Sequence, residues 1–123
     1  MPLDEALERT DKAIKIVWVP NLDDLIMLDK LAQLYSSKLE LLQRTGRLPD
    51  RMACFIDEMK PKILNTMNHL EEDNPAYVCL QNNLLIFTVE YLKDLKQVRK
   101  IDEGLAVVAE AQTIYASVLK KNS

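Results

Sequence analysis

Apolar residues recur at spacings of three and four along nearly the whole chain, the period of a helix that turns one face inward. In the first segment Leu3, Leu7, Ile14 and Val17 share a face. That helix must end before Pro20, which has no amide to continue the ladder. Trp18 and Val19 are expected to pack at the turn. Asn21 is the expected N-cap of the next helix, with Asp23 and Asp24 at the positive end of its dipole. The second helix carries the cleanest stripe, Leu25, Leu28, Ala32, Tyr35, Leu39 and Leu42, widened by Leu31, Leu34 and Leu41. A stripe that wide predicts more than one neighbour. Gly46 supplies a left-handed C-terminal cap, and Pro49 and Asp50 open the third helix.

The third helix places Met52, Ile56, Met59, Ile63, Met67 and Leu70 on one face. Pro61 lies inside it, where its ring meets the carbonyl of Asp57, so a kink is expected there. Asn74 as N-cap with Pro75 at the first helical position opens the fourth. From there Tyr77, Leu84, Tyr91, Val98 and Leu105 recur every seventh residue, with Leu80, Phe87, Ile101 and Val108 beside them, and only Asp94 interrupts. The pattern would allow one long helix. Gly104 is costly in a helix interior, and the sign of charge flips between Arg99-Lys100 and Asp102-Glu103. Together they favour a break or sharp bend at residues 101–104. Ile114, Tyr115, Val118 and Leu119 continue the apolar face of the last helix. The expectation is an all-α fold: an up-and-down antiparallel bundle of four to five helices, forming a single domain over residues 1–123, with a long or bent C-terminal helix.

Composition narrows the chemistry. The chain has 123 residues with only two glycines, which leaves little for phosphate-cradling loops or strand turns. A chain of this length buries about two-thirds of its unfolded surface and needs no disulfide or metal to fold. Lys and Arg number 16 against 19 Asp and Glu, for a net charge of −3, so attraction of the whole surface to polyanions is absent. Cys54 and Cys79 lie in helical patterns and are expected to be reduced. The polar, acidic start does not resemble a secretory leader. The longest apolar runs, such as Leu84 to Phe87, fall far short of the roughly 20 residues of a spanning helix. A cytoplasmic protein with no membrane partner is the expectation.

No catalytic motif is complete. His69 is the only histidine, and the residue three before it is Thr66. Carboxylate-bridged di-iron bundles need Glu-x-x-His twice, and a zinc site would draw on the same lone histidine. No cofactor or metal is expected. The acids Asp57-Glu58, Glu71-Glu72-Asp73, Glu90 and Asp94 leave a Mg-dependent all-α phosphohydrolase as a distant alternative, although their spacings depart from the pattern of such enzymes. The nearer alternative is a nucleic-acid-associated accessory factor using two basic clusters, Arg44, Arg47 and Arg51 across the turn between the second and third helices and Lys93, Lys96, Arg99 and Lys100 on one face of the fourth, which would make one positive patch if they met in space.

The surplus of apolar residues is more informative. Val78, Leu85, Val89 and Leu92 lie beside the main stripe of the fourth helix, and Phe55 and Leu64 beside that of the third. With Asp94 as a polar pin in the seam, these residues are the candidate interface of a non-catalytic helical interaction module. Its partner would be a protein, either a second copy or another subunit. The order Leu48-Pro49, an amphipathic helix, then Leu95-Lys96-Gln97-Val98-Arg99-Lys100-Ile101 faintly resembles the helical domain of GINS replication subunits. The first helix stands outside that pattern, and no residue role is carried over from it.

Overall fold

Both ends of the second and of the fifth α-helix fall where side chains or left-handed residues satisfy orphan backbone groups. A computed structural model describes residues 2–19 and 23–122, with the side chains of 101, 115 and 117–122 outside the description. The order is α1 (Pro2–Val17), α2 (Leu25–Arg44), α3 (Leu48–Ala53), a π-helical segment (Cys54–Met59), α4 (Lys60–Asn68), α5 (Pro75–Gln97) and α6 (Ile101–Asn122). The fold is all-α, with no strand among the described residues. Here α3, the π segment and α4 follow one another without a gap and act as one rod.

The caps show the local chemistry. Asp24 caps α2, its side chain accepting from the amides of Ile26 and Met27 at 2.9 and 3.3 Å. Asn21, the residue expected in that role, lies outside the described residues. Asn74 caps α5 as expected, accepting from Ala76 at 2.9 Å with Pro75 in the first turn. At the end of α2 the amide of Gly46 donates to Gln43 and that of Arg47 to Leu42, a Schellman closure with Gly46 at φ 70°. The end of α5 repeats the closure: Arg99 donates to Lys96, and Lys100 to Leu95.

That second closure corrects the position of the break. The chain turns at Val98–Lys100, just ahead of the expected 101–104, and Gly104 is helical inside α6. The left-handed residue is Arg99, at φ 60°. The charge flip marked the junction correctly, because Lys96 sits in the last turn of α5 and Asp102 and Glu103 in the first turn of α6. The glycine was the misleading signal. The heptad therefore does not continue as a buried seam: Val98 is 39% and Leu105 64% exposed.

At Pro61 the structure has the π segment directly upstream, its last turn closed by the Lys60 amide on the Phe55 carbonyl. This changes which residues face inward. Core side chains Phe55, Met59, Ile63 and Met67 follow a strict spacing of four. Four residues overshoot a 3.6-residue α turn but undershoot the wider π turn, so the π segment cancels the drift. Phe55 is buried as a result, and Ile56, expected on the inner face, is exposed.

The core joins α2, the α3–π–α4 rod and α5. α1 packs along α2 through the fully buried Ile14, with Leu7, Val17 and Trp18 beside it. Val19, expected to pack with Trp18, is exposed. α6 folds back on α5 and brings Val107 and Ile114 against the core. Each fully buried Leu, Ile or Met contributes about 1.5–3 kcal/mol through removal from water.

The two Schellman closures make opposite predictions. Arg99→Gly should raise stability by about 0.5–1 kcal/mol, the left-handed cost outweighing the added freedom of the unfolded chain. Gly46→Ala should lower it by about 1 kcal/mol. Gly104→Ala, whose new Cβ meets nothing within 4 Å, should raise it by about 0.5–1 kcal/mol. Urea midpoints at constant m-value measure all three.

Candidate functional site

Three clusters of polar or exposed apolar side chains stand out. The first is buried. Arg51 of α3 is 7% and Asp94 of α5 is 6% exposed. Arg51 Nη1 donates to Asp94 Oδ1 and Oδ2 at 2.5 and 2.7 Å, Nη2 to Glu90 at 3.2 Å, and Nε to the Leu39 carbonyl at 3.2 Å. Arg51 is thus absent from any surface basic patch. Asp94 pins a seam between helices of this same chain and is not exposed to a partner.

The second cluster gathers at the π segment. Lys38 of α2 bridges Asp11 of α1 at 2.7 Å and Glu58 at 2.9 Å. Tyr35 donates to Glu58 at 3.1 Å, and Lys62 donates to the Tyr35 hydroxyl at 3.2 Å. The Lys62 ammonium also lies over the rings of Trp18 and Tyr35, at 5.7 and 5.9 Å. Burial opposes the charge of Lys38, but its bonds to Asp11 and Glu58 prevail and push its pKa up to about 12. Burial likewise opposes the charge of Glu58, and Lys38 prevails, holding the carboxyl below its ordinary range. Tyr35 is pushed up by burial and then by Glu58.

Cys54 touches this cluster with Sγ 3.9 Å from Glu58. Burial pushes its thiol up to about 12, against the pull of Lys38. A thiol with so little thiolate is a poor nucleophile. The cluster consequently joins α1, α2 and the π segment as a neutralised set of charges. Its sequence signals were faint: Tyr35 and Lys38 three apart, Glu58 and Lys62 four apart, with no sign that they meet.

The third cluster is open. An apolar cleft of about 360 Å³ lies across the α5–α6 elbow, floored by Leu92, Leu95, Leu105 and Val108 and rimmed by Lys96, Arg99 and Lys100. On the other side of the elbow a groove of about 420 Å³ runs past Met52, Ile56, Tyr91 and Val98. Leu105 and Val108 were absent from the expected interface because the heptad suggested burial.

The remaining expected residues separate by burial. Phe55 is 3% exposed and stacks on Tyr91 at 5.1 Å between centroids, so it belongs to the core and to no interface. Leu64 packs half-buried against the core. On α5, Val78, Leu85 and Leu92 are half-buried, and Val89 is 51% exposed. The basic residues do not form one positive surface. Arg44 pairs with Glu40, Arg47 with Asp50 and Lys93 with Glu90, which leaves Lys96, Arg99 and Lys100 together at the cleft.

Among the described residues no group of three or more His, Cys, Asp and Glu side chains is placed to hold a metal ion. His69 sits exposed at the end of α4, its Nδ1 2.7 Å from the Asn65 carbonyl. No described helix is long and apolar enough to cross a membrane.

Two measurements probe the buried charges. Asp94→Ala should cost about 3 kcal/mol by leaving the buried Arg51 with only the half-exposed Glu90 as counter-charge, whereas the double change Arg51→Met with Asp94→Leu should recover most of that loss. Glu58 is lowered on folding, so its contribution to stability is present above the ordinary carboxylate pKa and lost as pH falls through the folded value. Urea midpoints should therefore fall more steeply with acid in the wild type than in Glu58→Gln. Lys38 is raised, and its contribution is present below the ordinary lysine pKa and lost as pH rises through about 12. Compared with protein-family models, curated protein sequences and solved structures, the chain matches none of them, so the faint likeness to GINS helical domains is not carried further.

Proposed function

We propose that this chain is a non-catalytic protein-interaction module whose α5–α6 cleft receives an amphipathic helix bearing acidic side chains. The observation that carries this reading is the cleft itself: an apolar floor rimmed by three cations on a molecule of net charge −3. Among the described residues the side chains of Lys96 and Arg99 enter no ion pair, and Lys100 reaches only Glu103, at 3.8 Å. An apolar helical stripe seated on Leu92, Leu105 and Val108 would remove those residues from water, and flanking carboxylates would meet the rim. This is the helix-in-groove mode, in which apolar anchors give affinity and the rim charges give orientation and partner choice. The π-segment cluster supports the non-catalytic half of the reading, because Lys38, Glu58 and Tyr35 are engaged with one another and with Asp11 and Lys62.

The test is fluorescence anisotropy with two labelled amphipathic peptides, one pairing a leucine stripe with glutamates and the other pairing the same stripe with lysines. The glutamate peptide should bind and the lysine peptide should not. Lys96→Glu with Arg99→Glu should weaken the glutamate peptide by about tenfold or more, worth about 1.4 kcal/mol. Leu105→Asp should weaken it too, and added salt should lower its affinity. Equal binding of both peptides, or indifference to the charge reversal, would sink the reading.

A further inference from the structure

We propose that the α5–α6 elbow is a hinge through which two copies of this chain exchange α6. Three independent observations converge there. The turn is only three residues long, and its left-handed position is held by Arg99 at φ 60°, where a side chain is strained. Short strained hinge loops invite exchange. Next, the seven-residue apolar repeat runs straight through the turn, from Tyr91 to Val98 to Leu105, as though the helix had never ended. In the folded-back form that continuity is wasted, because Val98 and Leu105 are exposed. Finally, α6 is held at the margin of the bundle. Its main neighbour is α5, and none of its described side chains is fully buried. Releasing it leaves the core of α2, the α3–π–α4 rod and α5 in place.

Straightening Val98–Lys100 into helix would join α5 and α6 into one rod about 70 Å long at 1.5 Å per residue. The α6 of each copy would then lie on the α5 of the other. Val107 and Ile114 would return to the same core position, and Glu110 would meet Lys60 across chains in place of the 2.8 Å pair within one chain. What is gained is relief at Arg99 and a seam for Val98 and Leu105, which come together where the two rods cross. The occupant is a second copy because only it carries the helix that already fits the vacated place. The inference does not rest on the acidic-helix reading. Straightening would alter only the part of the cleft made by the hinge residues Arg99 and Lys100, since the α6 of the partner copy would again face Leu92 and Leu95.

The experiment uses the full chain in three forms: wild type, Arg99→Gly and Arg99→Ile. Glycine accepts the left-handed position and resists helix, whereas isoleucine rejects that position. Mass is read by size-exclusion chromatography with light scattering over a wide range of concentration. Arg99→Gly should raise the dimer dissociation constant by about tenfold or more, because both hinges lose their strain. Arg99→Ile should lower it. Isotopically heavy and light chains are then refolded together and treated with a zero-length carbodiimide cross-linker. The dimer fraction should contain Lys60–Glu110 links joining heavy to light chains, and the monomer fraction links within one chain only. Absence of dimer from both wild type and Arg99→Ile overturns the exchange. A dimer whose Lys60–Glu110 links all lie within single chains overturns it equally.

Discussion

A guanidinium and a carboxylate buried between helices leave very little freedom in how those helices can be arranged. Arg51 binds both oxygens of Asp94, reaches Glu90 one turn earlier on α5, and donates to the Leu39 carbonyl of α2. One side chain thereby ties all three core elements at a single level. Sliding α5 by one helical turn of about 5.4 Å would strand two charges in an apolar interior. The aliphatic packing around them is more permissive, because leucines and methionines of similar volume can exchange neighbours at small cost. The ion pair selects one register from many that the apolar stripes would accept. It also places the end of α5 beside the start of α3, and the elbow and its flanking grooves are built on that end.

The π segment solves a related problem of phase. A rod whose inward residues repeat every four positions would wind its apolar stripe around the helix if it were α-helical throughout. The wider turn at Cys54–Met59 returns Met59, Ile63 and Met67 to the face that Phe55 occupies. It also brings Glu58 within reach of Lys38 and Tyr35, so that α1 is joined to the rod through Asp11. Pro61 directly follows the π turn, in which the Lys60 amide closes on the Phe55 carbonyl five residues back, so the residue without an amide falls where the α-helical hydrogen-bond ladder is already interrupted. Core phase and polar cross-link thus share one local irregularity.

Elements with a local cause were legible in the chain. Asn74-Pro75 opens α5 and Gly46 closes α2 through hydrogen bonds reaching no more than a few residues, so their chemistry is written in a short stretch of sequence. The charge flip around residue 100 marked a helix junction for the same reason. The misreadings involved distant partners. Gly104 looked like the breaker, yet the turn formed at Arg99, where folding α6 onto α5 offsets a strained backbone. Asp94 stood out as a polar residue in an apolar seam, but nothing within reach of it along the chain pointed to Arg51, which lies 43 positions away. The seven cations stood in two clusters, and sequence spacing reveals shared faces but neither whether the clusters meet nor which acids neutralise them.

What the sequence determined by itself is the helical period, the all-α class, and the capping residues at Gly46 and Asn74. These depend on interactions spanning one or two helical turns, which apolar spacing and cap chemistry encode directly. The tertiary structure alone decided the register of α5 against α3, the inward turn of Phe55 in place of Ile56, and the place of the elbow. It also decided which cations gather beside an apolar cleft. Each of those outcomes depends on charges and volumes brought together from distant segments. Their energies arise only after burial has removed the water that would otherwise hold the same groups apart.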